Sequence, residues 1–164
     1  MTKTYYAVVR DLSDDTRFAV FDSLDMATGY IKGIVSSAEP GEEFEQDDFS
    51  EGPRISHLWN EYEDIHLIKA DLDKELKNGT HKINAILLKE WGHVPEVYLF
   101  ATKDDAQKYW KHLHRELTHD GALGRPGFDY SDIDDDSEYF YAEDTEVTMF
   151  SCTINQTKQL DLVD

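Results

Sequence analysis

Two segments of the chain concentrate carboxylate side chains and contain no lysine or arginine. Residues 39–51 hold seven acidic residues in 13 positions, and residues 129–146 hold nine in 18. Carboxylates presented in this way can stand where phosphates stand on a nucleic acid and occupy a groove lined by lysine and arginine. The alternative is a solvated loop that keeps the protein soluble. The candidate partner-binding residues are Glu42, Glu43, Glu45, Asp47, Asp48, Glu51, Asp132, Asp134, Asp135, Asp136, Glu138, Glu143, Asp144 and Glu146.

The second acidic run also has partial calcium-loop spacing. Its acids fall at positions 1, 3, 5, 7 and 12 of an EF-hand-like loop, namely Asp132, Asp134, Asp136, Glu138 and Glu143. Ser137 stands where that loop requires glycine, and the flanking segments are typical of strands rather than helices. We therefore predict no specific metal site and no cofactor.

Other residue types that could do chemistry form no catalytic motif. The chain has no Gly-x-Ser-x-Gly elbow and no phosphate-binding glycine pattern. His112 and Glu116 have helical i, i+4 spacing, which is a weak metal signal by itself. His57 and His66 lie in predicted strands, where no recognisable motif pairs with them. Cys152 falls on the inferred buried face of a strand, so we predict a core cysteine. Because the sequence shows no catalytic motif, we predict that the protein is not an enzyme.

One tryptophan is a further candidate for partner binding. Trp91 lies in the predicted hairpin tip of residues 90–95, where the first half of the chain has a polar turn instead. Such a tryptophan either folds back onto the core or anchors a partner, and we include Trp91 among the candidate partner-binding residues.

The net charge restricts the class of partner. The chain of 164 residues carries 35 acidic and 16 basic side chains, a formal net charge of −19, and both halves are acidic. This charge disfavours direct binding to nucleic acid or to an anionic membrane and favours a basic protein or cations. The single cysteine and the lack of a long apolar run favour a cytoplasmic protein. The oligomeric state cannot be inferred from the sequence.

The elements that must position these residues follow from hydrophobic patterning. Residues 4–10 and 17–21 are predicted to form a hairpin, followed by a helix capped at Asp22 or Ser23. Residues 55–60 and 64–72 are two further strands. The same pattern recurs at residues 82–89, 96–100, 138–142 and 146–156, with a helix that begins after Thr102.

The recurrence predicts a tandem pseudo-repeat. Residues 56–74 register without a gap on residues 138–156 at an offset of 82, so that Ile65 matches Val147. We predict an α+β protein built from two strand–strand–helix–loop–strand–strand units, each with an antiparallel sheet and one helix. The predicted boundaries are residues 1–76 for the first unit, 77–81 for the linker, 82–156 for the second unit and 157–164 for a tail. The two units are expected to share one compact domain.

The leading functional hypothesis is a non-enzymatic inhibitor or decoy. It would occupy the basic nucleic-acid-binding site of a target such as a nuclease, a restriction or CRISPR effector, a repair enzyme or a basic toxin. The alternatives are a small metal-dependent hydrolase that uses the loop carboxylates, and a soluble interaction protein whose contact surface is aromatic.

Overall fold

The computed structural model describes residues 3–12, 15–77, 79–90, 92–119, 137–142 and 145–160. Within these ranges the chain forms ten strands and two helices, and the strands make two antiparallel sheets. The predicted α+β class is therefore confirmed. The described residues up to Asp71, together with those from Cys152 onward, form one compact unit, and Leu72–Ser151 forms another.

The first unit contains a six-stranded sheet covered by one helix. The order of the strands across the sheet is β10-β2-β1-β5-β4-β3. Ala27 and Ile31 of the helix are buried in one apolar cluster with Val8, Ile65 and Leu67 of the sheet. The elements are β1 (Thr4–Leu12), β2 (Asp15–Phe21), α1 (Leu24–Ser36), β3 (Glu45–Asp48), β4 (Arg54–Trp59), β5 (Glu63–Asp71) and β10 (Thr157–Leu160).

The second unit contains a four-stranded sheet and the longer helix. Its strand order is β7-β6-β9-β8. Ala106 and Trp110 of the helix are buried against Ile86, Val147 and Met149. The elements are β6 (Lys82–Glu90), β7 (Glu96–Phe100), α2 (Lys103–His119), β8 (Ser137–Ala142) and β9 (Thr145–Thr153), whose residues up to Ser151 belong to this unit.

Both helices begin at the residues that the sequence indicates. The Ser23 hydroxyl accepts a hydrogen bond from the Met26 amide at 3.1 Å, and the Thr102 hydroxyl accepts one from the Asp105 amide at 3.2 Å. Each cap satisfies a backbone amide that has no partner inside its own helix.

Loss of the first cap is expected to destabilise the protein measurably. Ser23→Ala removes the acceptor for the Met26 amide and should lower the free energy of unfolding by about 1 kcal/mol. Denaturant unfolding followed by circular dichroism measures the change. Ser50→Ala, which alters an exposed serine outside the helices, is the matched control and should change stability by less than about 0.5 kcal/mol. Equal stabilities for Ser23→Ala and the control would contradict the capping role.

The first residues of the predicted C-terminal tail form a strand. Residues Thr157–Leu160 pair with β2, and Leu160 is buried. Asn155, whose φ of 68° is in the left-handed region, turns the chain between β9 and β10. Its amide donates to the Val20 carbonyl, and its side-chain oxygen accepts from the Asp22 amide. The sequence of β10 lacks a clear apolar alternation, so this strand depends on its long-range partner.

Candidate functional site

The first acidic run contains an edge strand that the sequence does not predict. The segment Glu45–Asp48 forms β3, the outermost strand of the six-stranded sheet, and all four of its residues are exposed. The strand pairs with β4, placing Glu45 opposite Trp59, Asp47 opposite His57 and Asp48 opposite Ser56. The carboxylates are therefore presented on a paired strand with regular spacing rather than on an irregular loop.

Apolar contacts and hydrogen bonds hold this strand against the unit. Phe44 packs against the cluster beneath α1 and so anchors the acidic run to this unit. The Asn60 side-chain amide donates to the Glu42 carbonyl at 2.8 Å. After the strand, the Phe49 amide donates to the Ile55 carbonyl, and the Arg54 guanidinium lies 3.8 Å from the centre of the Phe49 ring.

We use the name acidic edge for the six candidate carboxylates of this segment, Glu42, Glu43, Glu45, Asp47, Asp48 and Glu51. None of them forms an ion pair with a basic residue in the described part of the chain. Hydrogen bonds from the backbone amides of Glu43 itself and of Gly41 lower the pKa of Glu43. Hydrogen bonds from Gln46 and Ser56 likewise lower the pKa of Asp48. The ionised forms of Glu43 and Asp48 are thus favoured by hydrogen bonds, and no described cation pairs with either carboxylate.

The second acidic run falls largely outside the described residues. This applies to the candidates Asp132, Asp134, Asp135, Asp136, Glu143 and Asp144, and also to Trp91. Glu138 lies on β8, where its backbone is opposite Met149. Glu146 lies on β9, and its carboxylate forms an ion pair with Lys89 at 3.4 Å. Both side chains of that pair are mostly buried, so Glu146 is engaged within its own unit.

The structure brings together three residues that the sequence does not connect. Pairing of β4 with β5 places His57 opposite His66 and Trp59 opposite Asp64. His57 Nε2 lies 2.8 Å from Asp64 Oδ1, and the two imidazole rings stack at 4.4 Å with an angle of 6°. The indole ring of Trp59 lies 4.8 Å from the His57 ring. We call His57, Asp64 and His66 the histidine cluster; one donor atom from each lies within 4.8 Å of the others, so they could hold a metal ion.

Burial sets the protonation of His66. Desolvation, followed by the proximity of His57, lowers the pKa of His66 to about 4, with a further small contribution from Arg54 and an opposing one from Asp64. His66 is therefore a neutral imidazole at pH 7. A signal for the cluster does exist in the sequence: His57 and His66 lie five and four residues from the centre of residues 61–63, which separate the two predicted strands. It becomes decisive only when the register of the hairpin is known.

The remaining candidates are not brought into a common site. His112 and Glu116 are exposed on α2 and do not belong to a metal-binding group within the described residues. Cys152 is buried, and desolvation raises the pKa of its thiol to about 12, with Lys158 opposing the effect. A thiol with this pKa is protonated at neutral pH and inert as a nucleophile. The prediction of a core cysteine is confirmed.

Comparisons with known proteins do not assign the site. The chain matches no protein-family model, no curated protein and no solved structure. Among the described residues, neither helix has the length and apolar character needed to cross a membrane.

Proposed function

We propose that this protein is a non-enzymatic inhibitor or decoy that occupies the basic, nucleic-acid-binding site of a target protein. The observation that carries the proposal is the acidic edge, whose carboxylates lie on or next to the exposed edge strand β3 and form no ion pair with a described basic residue. A binding surface of this kind gains free energy when lysine and arginine side chains of a partner pair with it.

The spacing of charge along β3 supports mimicry of a phosphate backbone. A strand rises about 3.4 Å per residue, and one strand of duplex DNA carries one phosphate per about 3.4 Å of helix axis. Glu45, Asp47 and Asp48 put three carboxylates into the four residues of β3. The linear charge density of this strand is therefore close to that of one nucleic acid strand over the same length. Gln46 interrupts the series and donates a hydrogen bond to Asp48.

We further propose that the two units are copies of one strand–strand–helix–loop–strand–strand unit. The order β2-β1-β5-β4 within the first sheet corresponds to β7-β6-β9-β8 in the second, and in each unit the helix follows the second strand. The acidic run of residues 129–146 would then be the counterpart of the acidic edge. A protein with two related acidic surfaces suits a symmetric or two-stranded target in the cytoplasm.

The proposal predicts a steep dependence of partner binding on salt. Immobilised protein should capture a basic, nucleic-acid-binding partner from a lysate of the source cell at 50 mM salt. The dissociation constant of the purified partner should rise by about tenfold or more at 200 mM salt, because ions compete for each charge pair. Isothermal titration calorimetry of the complex at the two salt concentrations measures this change.

Competition distinguishes mimicry from ordinary association. An oligonucleotide bound by the captured partner should displace the protein, whereas the protein itself should not bind the oligonucleotide. An affinity that changes less than twofold with salt, or a ternary complex of partner, protein and oligonucleotide, would contradict the proposed function.

A further inference from the structure

The histidine cluster has the composition of a transition-metal site, and it does not depend on the acidic edge for its chemistry. We propose that His57, His66 and Asp64 bind a divalent first-row transition metal of the zinc type. Two imidazole nitrogens and one carboxylate oxygen form a donor set that zinc uses in proteins, with a fourth position left for water or another carboxylate. This inference goes beyond the proposed function and stands without it.

The strand pairing preorganises the donors. His57 and His66 are directly opposite on adjacent antiparallel strands, so their side chains emerge on the same face of the sheet. Asp64 lies on that face as well, and its carboxylate already contacts the His57 ring at 2.8 Å. The backbone ladder fixes the backbone positions of all three residues, so metal binding would order only their side-chain rotations.

The required adjustment is small. Two donor atoms that each lie about 2.1 Å from a tetrahedral zinc ion are separated by roughly 3.4 Å. The three donor atoms of the cluster lie within 4.8 Å of one another. Rotation of the stacked rings out of their parallel arrangement would close this gap. The Asp64 carboxylate can also rotate toward the ion, because its side chain is 51% exposed.

The ring of His66 is available as a ligand. It forms no hydrogen bond to any side chain or backbone group in the described part of the chain, although it is largely enclosed. An imidazole binds a metal ion through a ring nitrogen that carries no proton. A metal ion would give the ring a polar partner that the described part of the chain does not provide.

A further carboxylate lies in the same row of the sheet, but its oxygens are not among the grouped donor atoms of the histidine cluster. Asp47 on β3 is directly opposite His57 and exposed. Its carboxylate stands on the same face of the sheet as the cluster, since residues opposite each other in an antiparallel pair share a face. An ion held by the histidine cluster would connect the neighbouring strands β4 and β5.

Titration of the full chain with Zn²⁺ and with Co²⁺ tests the site. Calorimetry should give one Zn²⁺ per chain at this site, and Co²⁺ should develop the visible absorption of four-coordinate cobalt. His57→Gln and His66→Gln should each weaken Zn²⁺ binding by about 100-fold, and Asp64→Asn by at least about tenfold. His93→Gln, which changes an exposed histidine outside the cluster, is the matched control and should bind Zn²⁺ like the wild type.

A measurement on the unaltered protein covers the case in which a variant fails to fold. In histidine-ring NMR spectra, one equivalent of Zn²⁺ should shift the resonances of His57 and His66 and leave those of His93 and His112 in place. Absence of stoichiometric Zn²⁺ binding at pH 7.5 would overturn the proposal. Binding that leaves the His57 and His66 resonances unchanged, or that also occurs with equal affinity for Ca²⁺ and Mg²⁺, would assign the ion to the acidic runs and overturn it too.

Discussion

Replacing Glu45, Asp47 and Asp48 together with lysine is expected to weaken binding of the basic partner by at least about 100-fold. Each replacement removes a favourable charge pair and places a like charge against the partner, which costs more than simple truncation. All three residues are exposed on the edge strand, so the fold should be retained, with a stability change of about 0.5 kcal/mol or less per site. Calorimetry of the partner complex and thermal unfolding of the free variant measure the two effects.

A charge-matched variant separates the acidic edge from the overall charge of the protein. Replacing Glu75, Glu90 and Glu116 with lysine changes exposed acids outside both acidic runs. Each acid-to-lysine replacement adds two charges, so both triple variants change the formal net charge from −19 to −13. The control should keep its affinity within about threefold, because distant exposed charges are screened by salt.

Equal losses in the two triple variants would mean that net charge, and not the acidic edge, determines binding. If the triple lysine variant of β3 binds the partner as tightly as the wild type, the acidic edge is not the partner-binding surface. Reversal of Asp134, Asp135 and Asp136 to lysine then tests the second acidic run, which lies outside the described residues. A loss confined to Trp91→Ala would favour the alternative of an aromatic contact surface.

Acidification from pH 7 to pH 4 is expected to lower the free energy of unfolding by up to roughly 3 kcal/mol through His66 alone. Burial is the main cause of the lowered pKa, and His57 and Arg54 add to it while Asp64 opposes it. The folded-state pKa of about 4 lies below the ordinary histidine value of 6.5. The neutral ring is therefore favoured in the folded chain.

The direction of this pH dependence follows from proton binding. Between pH 6.5 and about 4 the unfolded chain takes up a proton at His66 that the folded chain does not, so unfolding becomes easier as the pH falls. The stabilisation is complete above pH 6.5, decreases through this window, and shows no further loss from His66 below pH 4. Ionisation of the carboxylates also changes the free energy of unfolding with pH. Subtracting the values for His66→Gln from those for the wild type removes this contribution.

The measurement compares unfolding free energies of wild type and His66→Gln at several pH values in the presence of a chelator. The wild type should lose more stability on acidification than the variant, with a difference that approaches 1.4 kcal/mol per pH unit within the window. His93→Gln, an exposed histidine, should follow the wild type. An NMR titration midpoint for the His66 ring near 6.5 would contradict the prediction directly.

Local patterns in the sequence were sufficient for most of the secondary structure. Alternating apolar residues predicted β5, because such a strand buries one face whatever its neighbours are. Ser23 and Thr102 predicted the helix starts, since capping depends only on the next three residues.

Long-range pairing was responsible for the features that sequence reasoning missed. The strand β3 is acidic throughout, so its hydrophobic pattern gives no strand signal, and pairing with β4 is what makes it a strand. The ion pair between Glu146 and Lys89 joins residues far apart in the sequence, so no local pattern predicts it. The strand β10 likewise depends on the edge that β2 offers.

The sequence by itself determined the net charge, the acidic runs, the helix caps and the alternation of the main strands, because each is a property of neighbouring residues. The tertiary structure decided which strand forms the edge of the sheet and which side chains meet across it. His57 and His66 are nine positions apart, and a shift of one residue in the β4–β5 register would turn one of them to the opposite face. Because register is set by the packing of the whole sheet, only the folded chain could reveal the histidine cluster.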